Sequence, residues 1–145
     1  MAGSKLVKDY QVGDVVEYGT YEFTQDKIID FAKEYDPQPF HLDPEAAKDT
    51  FFEGLAASGW QASGVAMRLM VESLDLAKGI VGIEVKVKWS NPIRPGDVMS
   101  VKTEFKSIDY TDSNPDQAVC NLVTTAYNQA GKKMIILDSK VLLSN

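Results

Sequence analysis

The chain has 145 residues and a formal net charge of −6, with the apolar and charged fractions of an ordinary globular protein. At this length residues 1–145 read as one domain able to bury roughly 70 % of its unfolded surface, and the negative balance argues against nucleic-acid binding, which needs a concentrated positive surface. No apolar run approaches the roughly 20 residues of a membrane span, and one cysteine with one histidine can build neither an intrachain disulfide nor a zinc site within one chain.

The N-terminal stretch "MAGSKLVKDYQVGD" lacks a hydrophobic segment of signal-peptide length, so a reducing, cytoplasmic setting is expected. "VGDVVEYGTYEF" (12–23) combines β-branched and aromatic residues with glycine punctuation and reads as an opening strand or hairpin. Thr24 then stands as an N-cap, and "QDKIIDFAKEY" places Ile28, Phe31, Ala32 and Tyr35 on one helical stripe. Pro37 and Pro39 stop that helix. Asp43 followed by Pro44 opens a short second helix, with Asp43 its cap.

From Ser58, a further cap, a proline-free run to about Leu76 is apolar or small nearly all round, as in a buried helix. Arg68 and Glu72 give it one charged edge. Four strand-like runs follow, "GIVGIEVKVKWSN", "DVMSVKTEFKSIDY", "QAVCNLVTTAYNQ" and "KKMIILDSKVLLS", separated by turns such as "NPIRPGD". Cys120 lies in an alternating run with no basic neighbour and reads as a buried structural residue. The expected architecture is α+β: a meander of four antiparallel strands wrapped round one central helix.

The candidate chemistry sits in "YDPQPFHLDPEAA" (35–47). On a continuous helix Asp36 and His41 would lie roughly 140° apart. The two prolines instead predict a constrained loop able to aim both side chains at one point. A carboxylate and an imidazole converging on a water can take one proton and deliver another, as addition of water across a double bond requires. A solitary histidine in a proline-rich loop is also what a surface residue or a cap looks like, and composition by itself favours that plainer reading. A second element is "AASGWQ" (56–61). If Ser58 caps the long helix, the N–H groups of Gly59 and Trp60 are free at its positive end to polarise a carbonyl oxygen.

"YDPQPFHLDPEAA", "FFEGLAASGW" and "WSNPIRPGD" together resemble the MaoC-like dehydratases, which include (R)-specific enoyl-CoA hydratases, from about Asp14 to the last strand. The resemblance implies a hot-dog fold, a homodimer or higher homo-oligomer, no cofactor, and reversible hydration of a trans-2-enoyl thioester of coenzyme A or acyl carrier protein. It implies Asp36 and His41 as the acid–base pair and the Gly59 N–H as donor to the thioester carbonyl, with Ser58, Gln38 and Trp60 beside the substrate. Two positions depart from the family pattern: Gln38 replaces an asparagine, and Ser58 stands where many members have histidine. The polyanionic carrier would call for a cationic rim, for which Lys86, Lys88 and Arg94 are candidates, although a solvated strand face is the plainer reading of them, and Trp89 reads as core or pocket wall. Competing readings are a thioesterase of the same fold, with Glu72 the nearest helical carboxylate, and a non-catalytic acyl-thioester-binding module.

Overall fold

The computed structural model describes residues 3–145; Met1 and Ala2, which begin the N-terminal stretch, lie outside it. A 3₁₀ turn (Val7–Asp9) leads into β1 (Val15–Val16) and β2 (Tyr21–Glu22). Three helices follow, α1 (Gln25–Tyr35), α2 (Pro39–Leu42) and α3 (Pro44–Ala47), and then the long α4 (Gly59–Leu74). The chain ends in β3 (Val81–Trp89), β4 (Val98–Tyr110), β5 (Gln117–Tyr127) and β6 (Lys133–Ser144). The six strands form one antiparallel sheet in the order β1-β4-β5-β6-β3, with β2 also on β4. This is the hot-dog arrangement, the sheet curling round α4.

The period-2 pattern of β5 is strict: Ala118, Cys120, Leu122, Thr124 and Ala126 are buried and their neighbours half-buried, so one face of the sheet meets α4. Facing them are Ala62, Val65, Ala66, Leu69, Met70 and Leu74 of α4, the i, i+3, i+4 stripe that packing on a sheet demands. Cys120 is fully buried. Burial, followed by the nearby Asp109 charge, pushes its thiol pKa up to about 11, so it stays protonated and unreactive at neutral pH.

Of the strand or hairpin expected at 12–23, the strand forms: Val15–Val16 pair with Thr103–Glu104 and Tyr21–Glu22 with Val98–Met99, interrupted but running along β4. Three expectations change. The four final strands are not a consecutive meander. β3 pairs with β6, not β4, because the "NPIRPGD" connector passes across the end of the sheet, where Ile93 is buried and its carbonyl accepts from Ala57 N–H. On α1, Ile28 and Ala32 are buried but Tyr35 is exposed, its ring meeting Phe31 instead. Finally, α4 is not covered all round: Trp60, Met67 and Val71 are 63 %, 53 % and 45 % exposed, because the sheet curls over one side of the helix only.

Candidate active site

Asp36 and His41 are brought together by two short local structures. Thr24 caps α1 by accepting from Lys27 N–H, and the helix ends at Tyr35, leaving Asp36 outside the helical region, at φ −151° and ψ 68°, before Pro37. The following residues are not an open loop. Gln38 is extended and Pro39 occupies the first position of a one-turn helix, α2, that carries His41, a position for which proline is already shaped. Asp43 closes this turn and caps α3 by accepting from Glu45 N–H at 3.0 Å.

The result is a 3.3 Å approach of His41 Nε2 to Asp36 Oδ2. His41 is only 4 % exposed, wedged edge-on against Phe40, with Phe52 next to it. Its Nδ1 lies 2.6 Å from the Ala56 carbonyl. A carbonyl cannot donate, so Nδ1 carries the hydrogen and Nε2 is the nitrogen left to exchange protons beside Asp36.

Asp36 accepts Ser58 Oγ–H on Oδ2 at 2.7 Å and Gln38 Nε2–H on Oδ1 at 2.5 Å. Burial opposes its charged form, but the Ser58 and Gln38 hydrogen bonds and the His41 charge together outweigh it, leaving the pKa below its ordinary value. Because the folded-state value is the lower one, the ionised carboxylate adds stability above the ordinary carboxylate range, lost as pH falls through the folded value. Ser58→Ala or Gln38→Ala removes a donor and lets that pKa rise. The acidic limb of any rate profile that needs ionised Asp36 is therefore expected at higher pH, further for Ser58→Ala. An unmoved limb in both variants would separate Asp36 from the titration.

Ser58 does two jobs at once. Its Oγ also accepts from Trp60 N–H at 3.2 Å, capping α4. Trp60 N–H is thus occupied, contrary to expectation, and of the two candidates only Gly59 N–H has no protein partner among the described residues. Gly59 and Trp60 line, with Asp36, Gln38 and His41, a cleft of about 580 Å³. The helix N-terminus, the carboxylate and the imidazole therefore open on one space with an otherwise largely apolar wall.

The candidate cationic rim does not reach this cleft: no lysine or arginine lines it among the described residues. Lys86 and Lys88 do share a strand face, paired with Asp138 and Ile136, but Val87 between them packs on the core, so the lysines project from the opposite side. Arg94 spends its guanidinium on backbone: Nη1 donates to Gly54 and Leu55 carbonyls at 3.0 and 3.3 Å, and Nη2 to Phe52 at 2.6 Å. Glu72 is bound to Arg68 at 3.3 Å and does not line the cleft. Three participants were not visible in the sequence: the Ala56 carbonyl on His41, the Arg94 clamp, and the Trp89 indole against Gly59. They join residues 15 to 42 positions apart, with no local spacing to betray them.

Comparison with known proteins places the chain among relatives. The model of the MaoC like domain matches residues 9–127. The crystal structure of a MaoC-like dehydratase from Rhodospirillum rubrum superposes with a TM-score of 0.94 at 40 % identity, covering 98 % of both chains. The unliganded R-hydratase PhaJ1 from Pseudomonas aeruginosa shares the fold with a TM-score of 0.81 at 21 % identity, over 99 % of this chain and 88 % of the other. An uncharacterised Bacillus subtilis (strain 168) protein, YdeM, is 27 % identical over 140 residues, 93 % of this chain and 96 % of its own.

Proposed function

This chain belongs to the MaoC-like dehydratase family, and from that premise we propose that it reversibly adds water to a trans-2-enoyl thioester to give the (R)-3-hydroxyacyl thioester, without a cofactor. The observation that carries the reading is the Asp36–His41 approach in a cleft that also holds the free Gly59 N–H. The R configuration is drawn from the R-hydratase whose fold is shared.

In hydration the thioester oxygen accepts from Gly59 N–H at the positive end of α4, so that electron density arriving from C3 has a donor waiting for it. Asp36, kept ionised by Ser58 and Gln38, takes a proton from the water as its oxygen bonds to C3. The C2–C3 π electrons move toward the carbonyl, and His41 Nε2–H delivers a proton to C2. The proton now on Asp36 returns to His41 Nε2 across the 3.3 Å contact, restoring the starting state; dehydration is the reverse. A thioesterase would need a carboxylate at the thioester carbon, and among the described residues Asp36, beside His41, is the one carboxylate lining the cleft. The direct test follows the absorbance of the conjugated enoyl-thioester band. It should fall on adding the protein, with (R)-product on chiral analysis. No change across short, medium and branched chains, or release of free thiol, would reject the reading.

A second copy of the chain belongs to this proposal. Trp60, Met67 and Val71 fall on one stripe of α4, spaced by near-whole turns, and Trp60 meets Trp89 at the end of β3. Val81, Ile83 and Val85 of β3 are also more than half or half exposed, at 58 %, 50 % and 54 %. Among the described residues β3 pairs only with β6, so its other edge can pair antiparallel with its own copy in a two-fold dimer that covers both apolar sets. Sedimentation is expected to give a dimer for the wild type and a monomer for Val85→Asp. A wild-type monomer at micromolar concentration would remove the dimer.

A further inference from the structure

We infer that Trp89 is a positioning residue for Gly59: the indole and the glycine form one unit that aims the Gly59 N–H into the cleft. The inference rests on the hydration reading above and adds a residue to it. Trp89 ends β3 opposite Ile135, on the helix-facing side of the sheet. Its Nε1–H donates to the Gly59 carbonyl at 2.9 Å, and Ser63 Oγ–H donates to the same oxygen at 2.8 Å.

The fit leaves no room for a side chain. A Cβ on Gly59 would lie 2.6 Å from the indole Nε1, 2.8 Å from Cε2 and 3.1 Å from Cδ1. Gly59 has no left-handed φ, so it is the indole, not backbone conformation, that demands glycine here. Glycine at the first position of a helix is also the residue with most backbone freedom. Two side-chain donors converging on its carbonyl remove that freedom, and a donor held in place before the substrate arrives is what stabilises developing oxyanion charge.

The indole is itself anchored. Immediately after Trp89, Ser90 N–H donates to the Met134 carbonyl at 3.0 Å and Asn91 Nδ2 to the Lys133 carbonyl at 2.7 Å. Trp60 packs edge-on against the indole with ring centroids 5.4 Å apart. The end of β3 is thereby tied to β6 on one side and to the first turn of α4 on the other. Gly59 takes its orientation from a strand 30 residues away.

Trp89→Phe keeps a ring over Gly59 and deletes the N–H. Hydration by this variant should show kcat lower by roughly tenfold with KM within about twofold, since the loss falls on the transition state rather than on binding. The carbonyl stretch of bound ¹³C-labelled butyryl-coenzyme A should move toward its position in free solution, which a general loss of stability would not produce. A second arm needs no turnover. Gly59→Ala should lower the melting temperature, and Trp89→Ala in that background should raise it again. Wild-type kcat and carbonyl frequency in Trp89→Phe would overturn the positioning role. An alanine at 59 tolerated with Trp89 intact would overturn the unit itself. A wild type that neither binds nor hydrates thioesters would sink the hydration reading together with the catalytic half of this inference. In that case the stability cycle still decides whether Trp89 and Gly59 are coupled.

Discussion

Asp36→Asn and His41→Gln are each expected to lower the rate of enoyl-thioester hydration by about 10²–10⁴-fold, the usual worth of a positioned acid or base. Asparagine keeps the shape of Asp36 and can still engage Gln38 and Ser58, but it cannot accept the proton of the attacking water. Glutamine at 41 can donate a hydrogen bond toward Asp36 but cannot shuttle a proton. Because the two groups hand one proton between them over 3.3 Å, the double variant should be little worse than either single one. Single-turnover rates on a saturating enoyl-coenzyme A, with melting curves to establish folding, make the measurement. Either variant turning over near the wild-type rate would remove that residue from the mechanism.

Arg94→Ala is expected to lower unfolding stability by about 2–4 kcal/mol, as removal of a charged donor from several partly buried acceptors does. The carbonyls of Phe52, Gly54 and Leu55 would lose their donor together. Between them lies Glu53, held at φ +56°, a conformation that a non-glycine residue keeps only when its surroundings enforce it. The same segment continues to Ala56, whose N–H donates to Phe40 and whose carbonyl accepts from His41 Nδ1. Loosening it should cost turnover as well as stability, without contact between Arg94 and substrate. Arg94→Lys should not rescue, since an ammonium cannot reproduce the fork. The check is a urea midpoint at unchanged slope together with kcat. If Arg94 instead served as a cation for the coenzyme, stability would be untouched, KM alone would rise, and lysine would restore it.

Much of the site's framework was legible in short stretches. Thr24, Asp43 and Ser58 are caps because a side-chain oxygen on the residue just before a helical run has the backbone N–H two or three residues on within reach wherever the rest of the chain goes. Pro37 and Pro39 restrict their own backbone and that of the preceding residue, so the break between Asp36 and His41 follows from local sterics. Alternation around Cys120 likewise marked that residue as buried before any partner was known, as the structure shows it. The one-turn helix carrying His41 was missed because four residues leave no periodicity to detect, and proline stops one helix as readily as it starts the next.

What only the tertiary structure decided is everything set by distance through space. Sequence alone determined the α+β composition, the caps and a carboxylate and an imidazole set five positions apart across two prolines. It held nothing on which strands adjoin, and so β3 was placed beside β4 when packing puts it beside β6 at the open edge. Alternation aligned Lys86 with Lys88 but not the side of the sheet they would face, because a period of two is the same seen from either side. Arg94 carried a charge whose purpose became plain only when three carbonyls from 39 to 42 residues away closed round it. Local backbone chemistry acts over a few bonds and is written in neighbouring letters; burial and long-range hydrogen bonds arise when distant segments meet.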